Sequence, residues 1–228
     1  MSFIVIEGLD GSGKSTQLKM LKNHLKQNNI SYKYLHFPRT EEGIFGDLVA
    51  RFLRGDLGKN NEVNPYLVGL IYAGDRDNAK NQINTWIDAN ELVIIDRYVY
   101  SNMAFQGAKL KTIEEKLALR KWLTDLEYSH YGIPKPKLSL FLDVPFSFTT
   151  NSLSNQRDGD DRDYLQGKQD IHEADLNFQE TVRQEYLSLV EADEKFHLVK
   201  CYNEKLEMLS PNDIFEKIKN ELTTNKIF

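Results

Sequence analysis

Apolar residues fall along this chain in two alternating rhythms. Short unbroken runs occupy 3–6 (FIVI), a weaker 32–37, 92–95 (LVII) ending at Asp96, 138–144 (LSLFLDV) and 196–199. Runs of this length and composition read as strands buried on both faces. Between them, apolar residues recur every three or four positions, as at Leu18, Leu21 and Leu25 or at Leu176, Val182, Leu187 and Val190. That spacing lines one face of a helix. Strands separated by helices form right-handed βαβ units, so an α/β protein is expected: a three-layer fold with a five-stranded, mostly parallel sheet flanked by helices. Residues 151–175 break the rhythm. They are polar, carry two glycines and run long for a connection in a compact domain, which predicts a mobile lid. No fixed-period repeat and no long linker divide the remainder, so 1–228 reads as one domain.

Composition changes this picture little. The 228 residues are enough for a sizeable core, and 40% hydrophobic with 28% charged is ordinary for a globular protein. A net charge of −5 advertises no nucleic-acid partner. The single cysteine, Cys201, excludes an intrachain disulfide framework and fits a reducing compartment. No basic segment precedes an apolar run at the N-terminus, and no window approaches 18 uninterrupted apolar residues. A soluble, cytoplasmic protein without a membrane partner is expected.

The chemistry concentrates where the first strand meets the first helix. GLDGSGKST, residues 8–16, matches G-x-x-x-x-G-K-[ST] at Gly8, Gly13, Lys14 and Ser15. The glycines, with Gly11, let backbone N–H groups converge on phosphate oxygens where a Cβ would collide. A helix starting near Lys14 adds the positive end of its dipole. Lys14 reaches the β- and γ-phosphates and the Ser15 hydroxyl can ligate Mg²⁺. Leu9, Asp10, Ser12 and Thr16 complete this ATP-binding loop, and the fold expected is that of the P-loop NTPases. The loop alone does not choose between kinases, switches, motors and partitioning ATPases.

Arginines narrow the choice. Arg39 follows the second strand, Arg97 follows Asp96 directly, and Arg76 stands four residues after Tyr72, on the same helix face. Ligands of a parallel sheet bind beyond the carboxyl ends of its strands, where Arg39 and Arg97 point. Asp96 sits at the Walker-B position, placed to hold Mg²⁺ with Ser15. A second anion site suggests a phosphorylated acceptor. A phosphate monoester, with a second pKa near ~6, is already a nucleophile at neutral pH. It needs cations that let two polyanions meet in line rather than a general base.

The order GLDGSGKST, FPR, Tyr72-x-x-x-Arg76, DRYVYSNMAFQGA, PKPKLSLFLDV and an arginine-bearing lid resembles the thymidylate kinase family over about 3–220. The resemblance implies transfer of a phosphoryl group from ATP to dTMP with Mg²⁺, in dTTP biosynthesis. It implies that Asp10 lies near the acceptor sugar and that Arg39 and Arg97 hold the acceptor phosphate, with Phe37 of the FP pair beside them. Tyr72 would stack on thymine, Arg76 bond the base, Tyr98 meet the sugar and disfavour a 2′-hydroxyl. Ser101 and Asn102 would face the pyrimidine, with Gln106 nearby. Gly11 stands where some members carry an arginine. In the members lacking it the lid supplies the catalytic cation, which makes Arg157 and Arg162, with Lys168 behind them, candidates beside Lys14, Asp10 and Arg97. The lid reads DRDY at 161–164, with a later D-I-H-E at 170–173, rather than D-R-x-E. Homodimers are common in the family, and the helix about 65–89 is a candidate interface.

Other readings stay open at this level. A deoxynucleoside kinase, or a kinase for another nucleoside monophosphate, shares the architecture. A P-loop switch would need switch segments and a water-orienting residue, neither of which is clear in the sequence.

Overall fold

A computed structural model describes residues 3–154, 164–168, 170–173 and 175–228, with the side chains of 151–154 left aside. Its five strands are β1 (Phe3–Gly8), β2 (Tyr32–His36), β3 (Leu92–Asp96), β4 (Leu138–Asp143) and β5 (Phe196–Lys200). All five apolar runs read from the sequence form strands. The order across the sheet is β2-β3-β1-β4-β5 and every pairing is parallel. The helices are α1 (Lys14–Gln27), α2 (Gly43–Leu53), α3 (Pro65–Asp88), α4 (Val99–Gly107), α5 (Ile113–Thr124), α6 (Phe146–Ser154), α7 (Leu176–Ala192) and α8 (Pro211–Thr224). A wider π-type turn, Asp125–His130, continues α5.

Because successive side chains of a strand point to opposite faces, the sheet feeds two cores. Phe3, Val5, Val93, Ile95 and Phe141 pack under α3, α4, α5 and α7, while Ile4, Ile6, Ile94, Leu140 and Leu142 pack under α1 and α8. Burying each such side chain contributes about 1.5–3 kcal/mol. A third, small cluster joins α2 to α3 through Val49, Phe52, Leu53 and Val68, with Tyr72, Tyr164 and Ile171 against it. The buried stripe of α7 runs through Phe178, Val182, Tyr186 and Leu189. Leu187 and Val190, expected in that stripe, flank it half-buried. The stretch 151–175 is not a single loop, since α6 extends to Ser154. Among the described residues no helix is long and apolar enough to cross a membrane.

Parallel strands put all their carboxyl ends on one rim. Gly8, His36 and Asp96 therefore end at the same edge, and the functional side chains gather there.

Candidate active site

The turn from β1 into α1 is built on left-handed backbone. Gly11 has φ +74° and Gly13 φ +81°, a region that glycine occupies without steric cost. At Gly8, a Cβ would lie 2.8 Å from Ser12 Oγ and 3.3 Å from Lys14 Cγ, so a side chain there would push into the loop. Lys14 folds back over the turn, its Nζ donating to the carbonyl oxygens of Gly8 (3.2 Å) and Leu9 (3.1 Å). Burial, and then the charge of Arg97, pull the Lys14 pKa down to about 8 against the pull of Asp96, Asp10 and Glu7.

Beyond this loop opens a cavity of about 840 Å³. Residues 10–16, the ends of β2 and β3, α4 and part of the 164–173 segment line it. It brings together Asp10, Ser15, Phe37, Tyr72, Arg76, Asp96, Arg97, Tyr98, Ser101, Asn102 and Gln106 from the sequence-predicted set. Gly8, Leu9 and Arg39 are not in its lining. Leu9 turns its side chain into the core, 1% exposed, so only its backbone serves the loop. Arg157 and Arg162 lie outside the described residues.

Each arginine is held differently. Arg39 is turned onto the edge of α3: its N–H and Nε donate to Asp75 Oδ2 and Oδ1 (2.8 and 3.0 Å), its Nη2 to the Asp75 carbonyl (2.8 Å) and its Nη1 to Glu42 (2.6 Å). Arg76 is fully buried and grips Glu127 with Nε and Nη2. Arg97 faces the cavity from a left-handed backbone, φ +65°. Its Nη2 donates to Asp10 Oδ1 (2.7 Å), its Nη1 reaches Ser101 Oγ (3.4 Å) and its guanidinium lies 5.3 Å from the Phe105 ring centre. Burial disfavours that charge, but Asp10, Tyr186, Asp96 and Glu7 outweigh it and raise the Arg97 pKa.

Polar atoms without protein partners point to ligand chemistry. Asn102 donates from Nδ2 to the Gly69 carbonyl (2.9 Å) and to Glu127 (3.2 Å), leaving Oδ1 buried and unpaired. Gln106 Oε1 is likewise buried without a hydrogen bond. Two acceptors on the cavity wall suit a ligand carrying an N–H. Asp96 Oδ2 meets His36 Nδ1 at 3.2 Å, while Asp96 Oδ1 is buried and has no hydrogen-bond partner. Burial favours the protonated acid, yet His36, Lys14 and Arg97 hold the Asp96 pKa below its usual value. An ionised, half-paired carboxylate lining the same cavity as Ser15 fits a hydrated Mg²⁺, which takes few protein ligands and keeps water and phosphate oxygens for the rest. Among the described residues no group of three or more His, Cys, Asp or Glu forms a closed metal cage.

Also on the cavity wall, Asp170 accepts from the His172 N–H (2.8 Å) and the Tyr164 hydroxyl (2.9 Å). Burial, and then Asp10, push the Asp170 pKa up to about 7. The sequence reading missed His36, Phe105, Glu7 and Glu127. Glu7 left a signal, a lone acid closing an apolar strand. Glu127 left none, because its partner Arg76 is 51 positions away.

A family model described as thymidylate kinase matches residues 6–210. A thymidylate kinase of Plasmodium falciparum is 34% identical over 65% of this chain and 64% of its own length. One of Mycobacterium tuberculosis is 33% identical over 62% of this chain and 65% of its own. In both, the match spans slightly under two thirds of the relative. A probable thymidylate kinase of Pyrococcus abyssi is 28% identical over 96% of this chain and 97% of its own. Among solved structures, that of a thymidylate kinase from Candida albicans superposes with a TM-score of 0.71 at 25% identity, covering 99% of this chain and 92% of the other.

Proposed function

This chain belongs to the thymidylate kinase family, and from that premise we propose that it transfers the γ-phosphoryl group of ATP to dTMP, giving ADP and dTDP on the way to dTTP. The observation that carries the reading is one cavity lined both by the phosphate loop with Lys14 and by Tyr72, Arg76 and Asn102, with Arg97 and Asp10 also on its wall.

ATP lies with its phosphates on the backbone of residues 8–16 and on Lys14. Ser15 and Asp96 would hold Mg²⁺, which would neutralise phosphate charge. The acceptor phosphate meets Arg97, and Arg39 joins it by exchanging Asp75 and Glu42 for phosphate oxygens, a bidentate exchange suited to guanidinium. Thymine packs against Tyr72, with Arg76 donating to its carbonyls and Asn102 Oδ1 or Gln106 Oε1 accepting its N–H. Tyr98 and Phe37 shape the sugar side, and Asp10 lies near the sugar hydroxyl. The phosphate dianion is itself the nucleophile, so the protein orients, excludes water and stabilises charge. Arg157 or Arg162, in the segment that follows α6, brings the cation to the transferred group.

The net charge and single cysteine support a cytoplasmic enzyme without nucleic-acid or membrane partners. On α3, Leu67 and Leu70 are 59% and 36% exposed and stand three residues apart on one face, which supports a homodimer through that helix. The deciding assay measures ADP release from ATP and Mg²⁺ against a panel of nucleosides and nucleoside monophosphates. Release driven by dTMP is expected; release independent of acceptor, or driven better by a nucleoside, overturns the reading.

A further inference from the structure

Glu7 does not line the cavity, yet its carboxylate is completely buried directly behind it. Four groups converge on it. Oε1 accepts the N–H of Tyr98 (2.9 Å) and of Ser101 (3.3 Å), and Oε2 accepts the hydroxyls of Ser101 (2.5 Å) and Tyr186 (3.1 Å). Tyr98 stands at the N-cap position just before α4 and offers it no side-chain cap. Two of the orphan N–H groups at that helix end, those of Tyr98 and Ser101, are thus met by a carboxylate from the neighbouring strand, which also complements the helix dipole.

The segment so fastened begins at Arg97. Its N–H donates to the Ile6 carbonyl (3.0 Å), so residues 6 and 7 of β1 hold 97, 98 and 101 together. Arg97 keeps an unfavourable left-handed backbone there, a conformation that persists only where its surroundings over-determine it. The hydroxyl that Glu7 holds at 2.5 Å is also the one Arg97 Nη1 approaches at 3.4 Å.

We infer that Glu7 is the positioning residue for Arg97, fixing both the backbone turn and the Ser101 hydroxyl that aim the guanidinium at the acceptor phosphate. This rests on the reading of Arg97 as an acceptor-phosphate ligand. A glutamine at this position keeps the volume but replaces one acceptor oxygen with a donor that faces hydroxyls and N–H groups.

The test is a double-mutant cycle on steady-state kinetics with Glu7→Gln and Arg97→Lys. Expected for Glu7→Gln alone is a fall of about thirtyfold or more in kcat/KM for dTMP, with the KM for ATP within about twofold of the parent. In the Arg97→Lys background the same change is expected to cost less than about threefold. Equal cost in both backgrounds, or a parallel loss for ATP and dTMP, overturns the inference. Should Glu7→Gln not fold, Ser101→Ala removes the hydroxyl that Glu7, Tyr186 and Arg97 share without burying a new polar group, and is carried through the same cycle. It is expected to cost three- to tenfold in the parent and to have no measurable effect in the Arg97→Lys background; additivity again overturns the inference. A parent protein that shows no dTMP-dependent turnover faults the proposed function, whereas an active parent with additive variants faults only the role of Glu7.

Discussion

Arg97 concentrates the site's electrostatics in a single side chain. Its guanidinium touches Asp10 and Ser101 and lies over Phe105, so its removal deletes charge from the cavity while leaving the glycine loop intact. Arg97→Ala is expected to lower turnover about a hundredfold, the scale set by losing one preorganised donor, while ATP binding, read by isothermal titration, persists. Turnover within about threefold of the parent would exclude Arg97 from the chemistry. Asp170 gives a pH signature. Its folded pKa of about 7 stands above the ordinary 3.8, so between those values the folded state binds more protons than the unfolded one. Stability therefore falls as pH rises from about 4 to about 7 and is flat with respect to this group on either side. Melting temperatures across that window should show the slope, and Asp170→Asn should flatten it. Residue-level legibility followed locality. Gly8, Gly13, Lys14 and Ser15 were readable because their chemistry is contiguous in sequence. The engagement of Arg39 by Asp75 was not, because the partner arrives from a helix 36 positions away.

Strands such as LVIID were legible at the scale of the element because they are buried on both sides, and burial leaves an unbroken apolar run. The long α3, expected over about 65–89, runs Pro65–Asp88 even though its buried positions include Asp75 and Arg76, whose cost is offset by Arg39 and Glu127. Its start is better marked: Asn64 accepts the Tyr66 N–H and Pro65 opens the helix. Close approach also shapes the entry to α2. A Cβ on Gly46 would lie 2.1 Å from the carbonyl oxygen of Arg39, a backbone atom that cannot swing aside. Gly46→Ala is expected to destabilise the protein by about 2–3 kcal/mol, lowering Tm by roughly 4–12 °C for a chain of this size. A melting curve superimposable on the parent would mean the α2 entry relaxes freely.

At the scale of the whole molecule, the alternation of strands and helices was enough to foretell a parallel, three-layer α/β fold, because each crossover must cover a sheet face. It did not foretell that Tyr164 and Ile171, within the expected lid, pack on the small α2–α3 cluster, since no pattern in a polar stretch encodes a distant docking surface. Assembly is tested at this scale too. Leu67→Asp places a charge on the exposed face of α3; if the proposed homodimer forms there, sedimentation velocity should report a dimer for the parent and a monomer for the variant. Unchanged sedimentation would move the interface elsewhere. The Arg76–Glu127 pair carries a consequence that reaches past any single molecule. Both side chains are sealed from water, so losing either partner alone strands a charge at a cost of about 3–5 kcal/mol. Descendants of this sequence can therefore escape that arrangement only by exchanging both positions nearly at once, and a comparison of lineages should find the two changing in concert or not at all.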